Sequence, residues 1–592
     1  MVLSIIKSFW YILTYLFLFL SFYMFKKNDT KFNGISWLSV TAFLIMCFNT
    51  FIAGILSLVA IPVNILTLSF FNLSAGLFFW CKTVKSKQRQ RYSFHTVDFV
   101  AAGILLAAVA VSYVKLFGLD FEINFKTSDA AVHMKNAMDI FNTGKVTGMY
   151  FSPLNNALLI QLLSPLTAAF DYYKLFMLSD MCMFFLSGTL FFAAIRRYLT
   201  KPFMQVFGVF LTLAYSMGYP LNNALFGFVY LGTSVSVIAL VVFLCDCFIH
   251  EDLSRWFNAI LLGFGCLSVL VCYTMFAPAL YVGVFLCLCL DMLKHKNLFK
   301  RKSLLLLGIV FVVPFFMGIY YSYFGMFNSN SGLSLPTVLT WEGAIYRDLY
   351  SNFVIFIPFA LYGLYKLIQS KQPSAGATTF VVMLLFTGVL FFMGIFGKVS
   401  GYYYYKCYYP LWFLTFYMAV YGLARLAEHA KFLIATYALV WVLIAVINFS
   451  GLENFLVAKR ATFAPAAKST AFFDIYNYNY TRIIEPTRYV PPEMELFKYA
   501  HENLMTEDNP RIPNIGQYET VYWYEALTNQ RLEDAFWWNQ DEKTLIKNLK
   551  NGMFGKYVIV HNHPDGQFAL DAFAGYPIVF QNSFGIIYSV TK

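Results

Sequence analysis

The sequence predicts a mainly α, polytopic helical membrane protein of about fourteen transmembrane helices, followed by a small C-terminal α/β domain. Three observations carry that prediction. Of 592 residues, 59% are hydrophobic and only 12% charged, against roughly 25% charged in soluble domains. Apolar stretches near the roughly 20 residues needed to cross about 30 Å of hydrocarbon recur as far as position 450. Beyond that point the pattern changes to short helical and strand-like runs of mixed polarity.

The expected spans are 5–25, 36–58, 61–81 and 97–117, then 173–195, 203–218, 231–249, 257–273 and 276–292, and last 303–324, 351–368, 378–397, 408–426 and 432–450. The first, around Ile5 to Met24, is longer than a signal-peptide core and lacks a small-residue cleavage site, so it reads as a retained span. The unbroken apolar run from Ala259 to Leu290 is divided at Tyr273 to Pro278, because proline disfavours a continuous helix.

The formal net charge of +12 does not form a nucleic-acid stripe. It is gathered in short loops: Lys82, Lys85, Lys87, Arg89 and Arg91; Arg196, Arg197 and Lys201; Lys294, Lys296, Lys300, Arg301 and Lys302. Placed inside by the positive-inside rule, these clusters fit one alternating topology with both termini outside. Membrane lipids are therefore expected partners and nucleic acid is not. The ten cysteines all lie in or beside apolar segments, which predicts packed thiols and no disulfide framework. There is no glycine-rich phosphate loop, so ATP-driven transport is not favoured.

Two soluble-facing regions follow from this topology. The outer loop 118–172 is too long for a connecting turn, and within it Ala157 to Phe170 is expected to dip into the membrane edge without crossing. The tail 451–592 shows helical patterns at Pro492 to Asn503 and Glu542 to Asn551, with strands at Tyr557 to His561, Ile578 to Gln581 and Gly585 to Val590. Its Trp523, Tyr524, Trp537 and Trp538 suit either its own core or a glycan face. The stretch around His561, His563 and Asp565 has metal-ligand residue types but is read as a loop.

Chemistry is expected first at SDAAVHMKNAMDIFNTGKV, Ser128 to Val146. With Ser128 as N-cap, Asp129, His133 and Asn136 share one polar face, while Met134, Ala137, Met138 and Phe141 share the opposite, apolar one. Such a helix is expected to lie on the bilayer. Asp129 in its first turn gains from the helix dipole, which favours the ionised form that can accept a proton from a hydroxyl; the plain alternative is a helix cap. His133 is expected to orient Asp129 or meet a phosphate, or else to be an ordinary surface histidine. Asp120 and Glu122 make an acidic pair that can serve as base or cation ligands, or simply mark a helix exit. Asp180 falls inside a span, where an ionisable residue is functional by default. Glu342, Arg347 and Asp348 stand in a later outer loop, and the arginine fork suits phosphate unless it closes a rim salt bridge. Finally, Lys406 sits among tyrosines that include Tyr403 and Tyr405, at the start of an apolar helix. An interfacial aromatic belt with a snorkelling lysine would look the same.

With Asp129 in the first large loop and YYYYKCYYPLW, Tyr402 to Trp412, at the head of a late span, the chain resembles the GT-C superfamily of integral-membrane glycosyltransferases. Those enzymes take sugars from polyprenyl-phosphate or polyprenyl-diphosphate donors. The resemblance covers about residues 97–450, with 1–96 as accessory helices and 451–592 as an extracytoplasmic appendage. It implies a plasma-membrane enzyme acting on an extracytoplasmic glycan or lipid-linked acceptor, with Asp129 as catalytic base assisted by His133 and with Lys406, and more loosely Arg347, on the donor phosphate. Ser128 stands where many relatives carry a second acidic residue, so no cofactor is assigned and a divalent cation, Mg2+ or Mn2+, stays open. The rival readings are a transporter or flippase for lipid-linked saccharides, which would place its charges in a central cavity, and a non-enzymatic envelope-assembly protein.

Overall fold

A computed structural model describes residues 2–26, 34–85, 95–119, 121–123, 128–146, 153–250, 255–326, 339–340, 350–353, 355–428, 435, 475–476, 479 and 491–590. It is a helical bundle with a small sheet domain seated on one end.

Helices stand at thirteen of the fourteen expected spans; the last, 432–450, lies outside the described residues except for position 435. They are α1 (Val2–Lys26), α2 (Gly34–Leu58), α3 (Ile65–Lys85) and α4 (Thr96–Phe117), then, after two loop helices, α5 (Ser128–Thr143) and α6 (Pro153–Leu163), α7 (Tyr172–Arg196) and α8 (Pro202–Met217). A short helix absent from the sequence reading, α9 (Tyr219–Phe226), turns the chain into α10 (Val229–His250), α11 (Arg255–Cys272) and α12 (Ala277–Lys294). The expected division of the long apolar run is present as a tight turn at Thr274–Phe276, with Pro278 in the first turn of α12, where its missing N–H costs nothing. Next come α13 (Arg301–Leu307) and α14 (Val313–Met326), joined through a widened π turn at Gly308–Val312. The bundle continues with α15 (Ile357–Ser370), α16 (Ala375–Ile395), the six-residue α17 (Gly401–Lys406) and α18 (Tyr408–Leu426).

Nine of the described helices are long and apolar enough to cross a bilayer. Others at expected spans are shorter, α15 having only 14 residues, or roughly 21 Å at 1.5 Å per residue. The expected count of fourteen is therefore a count of apolar segments, of which nine meet the full length. All ten cysteines are free thiols.

The tail folds as expected, with additions. Its helices are α19 (Pro491–Tyr499), α20 (Tyr518–Thr528), α21 (Glu542–Lys550) and α22 (Gln567–Phe573), and its sheet has strand order β1-β2-β4-β3, with β1 (Asn514–Ile515), β2 (Tyr557–His561), β3 (Ile578–Gln581) and β4 (Gly585–Ser589). β1 runs parallel to β2, pairing Asn514 with Ile559, while β4 lies antiparallel between β2 and β3. A two-residue strand and a helix whose two faces are both covered leave no periodic signature, which is why β1 and α20 were not foreseen. One small core is the tail's own, holding Ile515, Leu545, Leu549, Val558, Val560 and Phe573. Phe497, Val521, Trp523, Tyr524 and Leu527 instead belong to a core continuous with the bundle. Trp523 and Tyr524 are thus packing residues, fully buried, and the stretch after His561 is a tight turn at Pro564–Gly566.

A further joint comes from Tyr476 and Asn479. The Tyr476 hydroxyl donates to Ala214 O at 2.8 Å, and the Asn479 amide donates to Met217 O and Gly218 O at 2.7 and 2.8 Å. These carbonyls lie at the C-terminal end of α8, where helical carbonyls lack intrahelical partners.

Candidate functional site

Three pieces of backbone meet beneath the tail: the start of α5, the corner between α9 and α10, and α17 running into α18. Gly227 makes the meeting close. It ends α9 in the left-handed conformation (φ 64°), and a Cβ there would stand 2.6 Å from Cβ of Ala130, the residue after Asp129; only glycine meets both demands without strain.

Lys406 lies at the centre, only 7% exposed. The helix that carries it is started by Ser400, whose hydroxyl accepts from Tyr402 N at 3.2 Å. The ammonium sits over four rings, those of Tyr402 (4.6 Å to the centroid), Phe228 (5.2 Å), Tyr230 (5.5 Å) and Tyr409 (6.0 Å), within the range where a ring face attracts a cation. It donates to the Tyr230 hydroxyl at 3.2 Å. Among the described residues no carboxylate lies within 4 Å of it, so its hydrogen-bond partner is neutral. Burial pulls its pKa down to about 8, and the Asp129 charge works against that shift. The alternative of a snorkelling lysine does not fit, because the ammonium is boxed by rings and not carried to the surface.

Asp129 stands at the mouth, exposed on the first turn of α5. The protein crowded around its carboxyl raises its pKa, and Lys406 opposes the rise. His133, one turn on, is 6% exposed and packs its ring 4.7 Å from that of Tyr230. Burial first, then Lys406, lowers its pKa to about 3, so the imidazole is neutral at pH 7. Its Nδ1 has no hydrogen-bond partner among the described residues. This corrects the sequence reading of α5 in one respect: His133 is not on a water-facing edge. The helix is held between α6 on one side and α20 of the tail on another. In a second respect, Ser128 is the first helical residue, not the residue before the helix.

Below Asp129 lies Asp180 of α7, 6% exposed. Asn156 of α6 donates to its Oδ1 at 3.3 Å, while Oδ2 has no partner among the described residues. Asp180 lines a cavity of about 30 Å³ with Asn223, Tyr215, Phe228, Tyr409 and Trp412, room for about two waters. Phe228 and Tyr409 also wall the Lys406 box, so cavity and box share a partition.

Of the other expected site residues, Asp120, Glu342, Arg347 and Asp348 lie outside the described residues. Glu122 is half-buried and set near Tyr173 at the head of α7. Tyr403 and Tyr405 are half-buried but do not face the ammonium; Tyr402 and Tyr409 do. Helical spacing foretells this, since 402 and 409 lie four before and three after Lys406. Phe228 and Tyr230, from an unforeseen corner, had no local signal. Among the described residues no three His, Cys, Asp or Glu side chains are grouped to hold a metal ion.

No protein-family model and no curated protein matches the chain. Among solved structures it is similar to ArnT from Cupriavidus metallidurans bound to undecaprenyl phosphate, with 12% identity and a TM-score of 0.48 over 84% of this chain and 99% of that one.

Proposed function

We propose that the protein is a membrane glycosyltransferase of the GT-C type, moving a sugar from a polyprenyl-phosphate donor to an extracytoplasmic cell-envelope glycan or lipid-linked acceptor. The observation that carries this is the Lys406 box. An ammonium withdrawn from water without a paired anion costs several kcal/mol, and four rings and one phenol offset only part of that. A phosphate completes the site. Its lipid tail keeps it in the membrane plane, so the cation that receives it must be reached at the bundle's end and not from bulk water.

The chemistry then assigns itself. The acceptor hydroxyl approaches Asp129, which takes its proton as the new bond forms between acceptor oxygen and the anomeric carbon. The bond from that carbon to the phosphate oxygen breaks, and the phosphate leaves with the electron pair, its charge met by Lys406. Neutral His133 cannot serve as a second cation; its open ring nitrogen suits a hydrogen bond to a sugar or acceptor hydroxyl. Asp180 supports the floor of the site. Arg347 remains a second phosphate ligand on the strength of the sequence alone.

A flippase for lipid-linked saccharides would use the same cation without a base. Glycan analysis of cells lacking the protein, complemented with wild type or Asp129→Asn, separates the two. The variant is expected to restore the missing sugar at no more than about one hundredth of the wild-type rate, within the range for a lost general base. Full restoration would remove Asp129 from the chemistry.

A further inference from the structure

The helix that carries Asp129 and His133 is gripped from its other side by the tail, through charges the reaction does not use. Lys135 and Asp139 lie one turn apart on α5, and Lys135 is about 200° round the helix from His133. The Lys135 ammonium donates to Glu525 Oε1 of α20 at 2.8 Å and also to Glu533. Asp139 accepts from Arg531 at 3.2 Å.

These contacts are not equal. Arg531 and Glu533 have side chains 69% and 54% exposed, and rim pairs of that kind contribute about 0–1 kcal/mol. Glu525 is different. Its side chain is 1% exposed and that of Lys135 is 14% exposed. Oε1 of Glu525 also accepts the backbone N–H of Leu532 at 2.7 Å, which fixes the carboxylate in the tail independently of α5. Burial raises the Glu525 pKa, and the Lys135 bond and the Leu532 N–H oppose that rise. A buried ion pair is weak evidence of stability; its best-attested use is to fix one register between packed elements. Here the elements are α20 and α5. The tail keeps a core of its own that does not involve α5, so the pair is not needed to fold the sheet.

We infer that Glu525, acting through Lys135, is a positioning residue that sets the rotation of α5 and so the placement of Asp129 beside the Lys406 box. The tail is then part of the active site's frame and not an appendage. A misplacement of about 1 Å can cost about a hundredfold in rate, so a grip on this helix is a grip on the chemistry. The inference rests on the reading of Asp129 as the base, and the following test separates the two.

The probe is Lys406 itself, whose titration is governed by Asp129 at the mouth, neutral His133, and the phenols of Tyr230, Tyr402 and Tyr409. The full chain in nanodiscs is treated with a small amine-acylating reagent over a pH series, and the Lys406 peptide is followed by mass spectrometry. Glu525→Gln is expected to lower the midpoint from about 8 by about half a pH unit or more, as Asp129 withdraws, and to cut sugar restoration in cells about tenfold. Lys135→Met should do the same, and the double variant should do no more than either single, because both act through one contact. Lys135→Met carries the test if Glu525→Gln fails to fold. Wild-type midpoints and sugar levels in both single variants, with Asp129→Asn still inactive, would overturn the inference alone; additive effects would do so too. An Asp129→Asn variant with wild-type midpoint and activity would overturn the base reading beneath it.

Discussion

The bundle buries a carboxylate with a cation at one end and, among the described residues, leaves a cation without an anion at the other, so the two regions are built to opposite rules. At the end away from the tail, Asp246 of α10 is fully buried. Its Oδ2 accepts from Arg197 at 2.5 Å and from the Tyr417 hydroxyl at 2.6 Å, and its Oδ1 accepts the N–H of Ala375 at 2.6 Å. That N–H belongs to the first turn of α16, where backbone donors lack helical partners. Arg197 also reaches the Tyr417 hydroxyl at 2.7 Å, and nearby Arg196 donates to buried Asp98 at 3.0 Å. The Asp246 charge is neutralised and both its oxygens accept, although Arg197 Nε has no partner among the described residues, so this knot ties α7, α10, α16 and α18 together. Under the tail and among the described residues, Lys406 has a phenol for a partner, His133 an open nitrogen and Asp180 an open oxygen. The carboxylate at one end has its counter-ion inside the fold; the cation at the other has only a neutral partner among the described residues, which is the arrangement that suits an anionic ligand.

Lys406→Met breaks the contrast most sharply. With the ammonium gone the phosphate loses its counter-charge, and transfer should fall at least about a hundredfold, as when one preorganised charge-stabilising donor is removed. Thermal unfolding in nanodiscs should hold or rise, because an apolar chain of similar volume replaces a buried charge. A lowered midpoint would show that the box is a structural element after all.

The mirror experiment is Asp246→Asn, which leaves Arg197 without its anion. Stability is expected to drop by about 3–5 kcal/mol, read as an earlier thermal transition, while the fraction that stays folded binds undecaprenyl phosphate with unchanged affinity. Lost affinity at unchanged stability would make the knot part of the site.

The smallest effect sharpens the comparison by pH. In the proposed role Lys406 must carry its proton to hold phosphate, and its pKa is lowered to about 8. On the proposed function, affinity for a polyprenyl phosphate is therefore expected to be full below that value and lost as pH rises through it, by about tenfold between pH 7 and pH 9. The rate of transfer should also fall on the acid side, where Asp129, its pKa raised, takes up a proton and no longer accepts one. An affinity flat from pH 7 to pH 9 would place the phosphate elsewhere.

How far the site was legible depends on how local its causes are. Asp129 and Lys406 could be singled out because each is an ionisable residue in an apolar or amphipathic setting, a mismatch visible in a short window. The spans were legible because crossing a bilayer demands a continuous apolar run. The rings around Lys406 were half legible: Tyr402 and Tyr409 follow from helical spacing, whereas Phe228 and Tyr230 come from some 176 positions away. His133 was misread because its helix pattern matches a water-facing polar edge, and nothing within α5 reveals that Tyr230 of α10 packs against it.

The sequence by itself determined where the long apolar helices form and which segments are apolar enough to enter a membrane, and it singled out Asp129 and Lys406, since hydropathy and periodicity are properties of neighbouring residues; the short α9 and the covered α20 escaped it. Only the tertiary structure decided that Lys406 is boxed by rings, that His133 is neutral, and that Glu525 holds Lys135 across 390 positions of chain. Burial and charge pairing are set by which surfaces meet, and no window of sequence contains both sides of a contact.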